Sequence, residues 1–140
     1  MKKVFYESKL ANMLLCLSSC DTITLGPFVC SKLKEVEMRQ QVRNHECTHV
    51  RQWIELTVLS GIILLALVLA FGISAWWMLL AGIVFYAWYG VEWSIRLIIL
   101  LDAKKAYKAV SFEREAYENQ YNSNYLENSP YFVWIKYILK

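Results

Sequence analysis

Charge is scarce in this sequence. Only 19% of its 140 residues are Asp, Glu, Lys or Arg, while 57% are apolar and the mean hydropathy is +0.30. That length suits one domain, but the composition is too apolar for an ordinary soluble one. The net charge of +3 is small. No basic patch is present, which excludes a nucleic-acid partner from the expectations; the cations suit a surface near lipid instead. The four cysteines, Cys16, Cys20, Cys30 and Cys47, form no C-x-x-C pair. If their segments face the cytoplasm, they are expected as small, buried, reduced thiols rather than a disulfide framework. Histidine is scarcer still: the chain has two.

Both histidines lie in the run His45-Glu46-Cys47-Thr48-His49. This spells H-E-x-x-H, the spacing that zinc peptidases use. On a helix, positions i and i+4 share a face, so His45 and His49 can address one ion. Glu46 stands beside them, where a carboxylate can take a proton from water activated by that ion. Cys47 lies inside the turn at a position that is not a ligand in the motif.

The start of the chain has some look of a signal peptide: Met1-Lys2-Lys3, an apolar stretch over residues 10–17, then Leu17-Ser18-Ser19-Cys20, which resembles a lipoprotein cleavage box. Glu7 and Lys9 interrupt it and the apolar stretch is short. Residues 21–30 are rich in β-branched and aromatic side chains around Gly26-Pro27. They read as a strand, or as a short hairpin with residues 14–17. Such a strand either caps the domain or offers an open edge to an extended peptide. From residue 31 to 53 the pattern becomes helical. Ser31 is the expected cap, Glu35 and Glu37 lie near the positive end, and the H-E-x-x-H motif occupies the later turns.

Polarity then disappears. Residues 54–71 carry one charge, Glu55; Gly72-Ile73-Ser74 is a weak break; and residues 75–91 form a second apolar run that extends towards Leu101 if Glu92 and Arg96, four apart, pair on one face. Each run is near the length of a bilayer span. Eight cations precede the first run and six follow the second, with none in the turn between. The positive-inside rule therefore places both termini, and the histidines, on the cytoplasmic side of the inner membrane.

A hairpin returns the chain to the side it left. Residues 111–118, Ser-Phe-Glu-Arg-Glu-Ala-Tyr-Glu, then come back beside the histidines. A catalytic zinc needs a third protein ligand and an open position, and Glu113 and Glu115 are the candidates. They are two apart on a helix and point about 200° away from each other. Glu113 shares a face with Tyr117 and lies near Ala116. Glu115 falls with Glu118, Asn119 and Asn122 on what reads as a solvated stripe. Tyr107, Tyr117 and Tyr121 are candidate phenol donors to a developing oxyanion, each with packing as the plainer role. Residues 131–139 are too short to span and are expected to pack on the domain or lie at the interface.

His45-Glu46-x-x-His49 followed by Glu113-x-x-Ala116 resembles the gluzincins, in particular their membrane-embedded HtpX-like, CaaX-prenyl-protease-type and BlaR-type branches. Their pattern is H-E-x-x-H, an intervening membrane helix or pair, then E-x-x-A-D. The resemblance implies that Glu113 binds zinc. The family's Asp falls on Tyr117 here, a departure that leaves the support of the ligands open. Residues 20–140 also look like a group of small Bacteroidetes membrane proteins of unassigned role.

The expected protein is mainly α-helical. It has an N-terminal β element (1–30), an H-E-x-x-H helix (31–53), a transmembrane hairpin (54–101) and a Glu-ligand helix with a tail (102–140), all in one membrane metallopeptidase-like domain. Its metal ligands would be His45, His49 and Glu113, its ion Zn2+, and its catalytic base Glu46. Its partners would be the lipid bilayer and a peptide or membrane-protein substrate. The rival expectation is a non-catalytic membrane hairpin, regulatory or for assembly, with a structural or vestigial metal site. Cys47 or Glu115 as a fourth ligand would mark that case.

Overall fold

The computed structural model describes residues 4–16 and 20–139. Met1-Lys2-Lys3, Leu17-Ser18-Ser19 and Lys140 lie outside the described residues, and with them the basic start of the signal-like segment, the first three residues of the lipoprotein-like box and both chain ends of the topology expectation. The protein is mainly helical, with a small three-stranded sheet. It divides into two compact units: residues 1–51 with 115–130, and residues 52–114 with 131–140.

In the first unit, β1 (Val4–Phe5), β2 (Thr22–Leu25) and β3 (Phe28–Ser31) form a sheet of order β1-β3-β2. β2 and β3 are antiparallel, with Thr22 opposite Ser31 and Leu25 opposite Phe28. The Gly26-Pro27 turn between them explains the hairpin. Gly26 takes φ +58, proline supplies a fixed negative φ next, and that sequence of signs is the II′ form that matches strand twist. The hairpin thus closes within 22–31. Of the expected partner stretch 14–17, the described residues 14–16 are not part of it: Leu14 ends a helix, α1 (Lys9–Leu14), which the Ser8 hydroxyl caps, and Leu17 lies outside the described residues. Ala11 and Leu15 pack with Cys30, Ile23 and Leu25 as the small core of this unit. Of the cysteines only Cys30 is buried; Cys16 and Cys20 are exposed and Cys47 is half-buried. The expectation of four buried thiols is therefore corrected.

Ser31 does not cap a helix. It ends β3 fully buried, and its hydroxyl accepts from the Leu33 amide and reaches the Asp21 carbonyl. The helix instead begins at Gln40, after turns over residues 32–39. This helix, α2 (Gln40–Phe71), runs without interruption through the motif and the first apolar run. At 1.5 Å per residue its 32 residues extend about 48 Å.

In the second unit, Gly72 turns the chain at φ +62 and the Ser74 hydroxyl caps a 3₁₀ helix, Ala75–Ile83, which leads into α3 (Val84–Leu100). α2 and the 3₁₀ helix pass close to one another here, with room left for ordinary side-chain contact. A Cβ on Gly61 would stand 3.9 Å from that of Ala81, and one on Gly82 would meet the Trp53 ring at 3.6 Å. The Trp53 indole N–H donates to the Gly82 carbonyl at 2.9 Å. α3 ends where Leu101 turns left-handed. α4 (Ala103–Ala109) follows, capped by Asp102, whose carboxyl is held below the usual carboxylate range chiefly by the Lys105 amide. α5 (Ser111–Asn119) comes next, and α6 (Tyr125–Asn128) belongs to the first unit.

The core of the second unit is Leu56, Phe85, Val110, Phe112 and Trp134. Phe112 stacks on Phe85 at 4.8 Å and meets Trp134 edge-on at 4.9 Å. The tail expectation is met on its packing branch: Trp134, in a 3₁₀ helix over Val133–Tyr137, is part of this core. The Glu92–Arg96 pair forms at 2.9 Å.

Two helical segments, Gln40–Phe71 and Ala75–Leu100, are long and apolar enough to cross a membrane.

Candidate metal centre

The site begins with one helical turn of α2. Residues 45 and 49 stack on the same face, and their imidazoles converge: the two Nε2 atoms are 3.2 Å apart. Two nitrogens bound to one zinc at 2.0–2.1 Å and a tetrahedral angle would be roughly 3.3 Å apart. The pair is therefore spaced as two ligands of one ion would be. His45 and His49 are 8% and 6% exposed. The Tyr117 ring packs against His45 edge-on, centroid to centroid 4.6 Å. Tyr117 thus serves as a wall beside the histidine, at the position where the gluzincin pattern has Asp.

Glu113 is buried on α5, and its Oε1 accepts a hydrogen bond from the Tyr89 hydroxyl at 3.0 Å. His45, His49 and Glu113 each offer a ligand atom, and these atoms lie within 4.8 Å of one another. This buried group can hold a metal ion. Cys47 and Glu115 are not part of it among the described residues.

Glu115 is not on a solvated stripe. It is 1% exposed and takes a 2.9 Å ion pair from Arg51, while Glu118 on the expected stripe is exposed. The Tyr125 hydroxyl also donates to Glu115, at 2.7 Å. Burial, then the bond to Glu115, pushes the Tyr125 phenol well above its ordinary pKa, so it stays a donor. Arg51 donates to Ser129 and lies over the Tyr125 ring at 5.1 Å. Helical periodicity gives the direction of a residue but not what covers it, and here Arg51 covers Glu115.

Glu46 is 9% exposed and points at β2. Its Oε1 accepts from the Thr22 hydroxyl at 2.7 Å and its Oε2 from the Thr24 hydroxyl at 2.6 Å. Alternation along the strand explains the pair: residues 22 and 24 face one way and Ile23 and Leu25 the other, into the small core. Each carboxylate oxygen retains a second lone pair for water. β2 is an edge strand of the sheet.

Thr22, Thr24, Tyr89 and Arg51 were not legible as site residues from sequence. Thr22 and Thr24 showed only their strand propensity, and Tyr89 stood in an apolar run as one aromatic among several. Of the expected phenol donors, Tyr117 lies against His45, Tyr107 stands 6.3 Å from Tyr89, and Tyr121 is 71% exposed.

No family model, no curated protein and no solved structure matches this chain.

Proposed function

We propose that the protein is a zinc-dependent peptidase of the gluzincin type, anchored in the inner membrane by a two-helix hairpin, with its site at the cytoplasmic face. The observation that carries this reading is the grouping of Glu113, on α5, with His45 and His49, on a helix that continues directly into an apolar segment. Two imidazoles and one carboxylate are a donor set that zinc takes in hydrolytic sites. When bound, the ion supplies Lewis acidity, polarising a carbonyl and acidifying a water.

The chain's own residues do the rest. Glu46 accepts a proton and returns it to the leaving amine. Thr22 and Thr24 hold the Glu46 carboxylate in one orientation, and the outer edge of β2 offers backbone groups to an extended peptide.

Burial supports the membrane anchor. Ile62, Leu69, Trp76 and Ile98 are 63%, 77%, 79% and 75% exposed, on helices that a soluble protein would have to cover. Residues 54–71 extend about 27 Å, near the thickness of the hydrocarbon core, and His49 lies about 8 Å earlier along the axis. On this reading the histidines lie just outside the bilayer.

One observation favours the second reading, a non-catalytic metal protein. Both oxygens of Glu46 are already engaged, and a carboxylate so held can simply tie α2 to the sheet.

Purified protein is expected to contain one zinc per chain by elemental analysis, and a His45→Ala variant almost none. Equal, substoichiometric metal in both would end the metal reading. The topology has its own test. In intact cells a cysteine at Gly72 should react with an impermeant maleimide from outside, while native Cys16 and Cys20 should react only after lysis. Labelling of those native thiols from outside would reverse the orientation.

A further inference from the structure

We infer that Tyr89 and Glu92, both on α3, are positioning residues for Glu113: together they fix the first turn of α5 and the carboxylate it carries. The inference rests on the metal reading above. Residues 89 and 92 are three apart and share a face of α3. From that face the Tyr89 hydroxyl donates to Glu113 Oε1 at 3.0 Å. Glu92 Oε1 accepts from the Ser111 amide at 2.9 Å and Oε2 from the Ser111 hydroxyl at 2.6 Å.

Ser111 is the first residue of α5 and Glu113 the third. The first amides of a helix have no partner within it, so Glu92 acts as a cap supplied by another helix, with its charge at the favourable end. Arg96 holds Glu92 in turn. Its Nε and Nη2 donate to Glu92 Oε1 at 3.0 and 2.9 Å, and Nη2 also reaches the Ile138 carbonyl at 3.0 Å.

The two grips do different work. The grip on Ser111 stops α5 from sliding or fraying at its start. The grip on Glu113 stops the carboxylate from rotating about its own bonds. Tyr89 is itself braced, with its ring 6.3 Å from both Phe85 and Phe112. An apolar helix thereby sets the aim of a metal ligand. The phenol takes the supporting role that partners of metal ligands commonly have, whose loss weakens metal binding about 10–100-fold.

The test is a zinc titration of the purified full chain in detergent against a chromophoric chelator, with cobalt(II) absorption as the second readout. Tyr89→Phe keeps the ring and removes only the hydroxyl. It should bind zinc about 10–100-fold more weakly and alter the cobalt bands, with an unchanged melting temperature. Tyr86→Phe, one turn earlier, should match wild type. Ser111→Ala, which removes one of the bonds to Glu92, should fall between wild type and Tyr89→Phe; if Tyr89→Phe does not fold, Ser111→Ala decides. Wild-type affinity in Tyr89→Phe, with His45→Ala empty, would overturn the clamp and leave the metal site standing. No zinc in the wild type would overturn both.

Discussion

Replacing Glu46 with Gln is expected to leave zinc in place and to abolish peptide hydrolysis, with a rate loss of about 10²–10⁴-fold, the usual contribution of a general base. Glu46 is not one of the three grouped ligand residues, so metal content should not change. The fold should hold as well. A Gln side chain can accept from one threonine through its carbonyl oxygen and donate to the other through its amide, since a hydroxyl does either. The measurement is cleavage of a mixed peptide library by protein in detergent, with metal content determined on the same sample. Cleavage at the wild-type rate by the Gln variant would sink the peptidase mechanism whatever the metal does. If wild type cleaves nothing while holding one zinc, the tie to Thr22 and Thr24 is what Glu46 is for. A Thr22→Val/Thr24→Val double variant separates the two roles further: lower activity at unchanged stability means that the hydroxyls orient a base, and lower stability alone means that they anchor α2 to β2.

What sequence revealed here, and what it hid, follows from the range of each interaction. The histidine pair was legible because its geometry is local: four residues on one helix fix it. The apolar helices were legible for the same reason, as was the Glu92–Arg96 pair. Glu113 was reached by spacing on α5 together with a resemblance. α2 begins at Gln40 and not at Ser31: Ser31 has the chemistry of a cap, yet the antiparallel register of β3 opposite β2 claims it first. The Gly26-Pro27 break is visible in the sequence, and the strands pair across it, 22–25 with 28–31. The ties of Glu46 to Thr22 and of Glu113 to Tyr89 each cross 24 residues of sequence, and that of Glu115 to Arg51 crosses 64. No local pattern carries such pairings. A carboxylate on a short helix looks the same in sequence whether water or a guanidinium covers it.

That last pair makes the second large prediction. Glu115 is 1% exposed and Arg51 12%, so neither charge is well solvated if the other is removed. Removing one partner of a buried pair costs about 3–5 kcal/mol, because the survivor is left without compensation. Glu115→Leu should therefore lower the melting temperature of the purified protein sharply. Arg51→Met should lower it at least as much, since Arg51 also holds Ser129 and covers the Tyr125 ring. The double variant Arg51→Met/Glu115→Leu should recover most of the loss, because two apolar groups of similar volume need no partner. The effect on metal should be indirect. Glu115 stands two residues from Glu113 on α5 but points about 200° away, so zinc binding should track folded fraction in all three variants rather than fall ahead of it. Single variants that melt with wild type would show the pair to be dispensable. A Glu115→Leu variant that stays folded but loses zinc would make Glu115 part of the metal centre, and would return the closed, structural site as the better account of this chain.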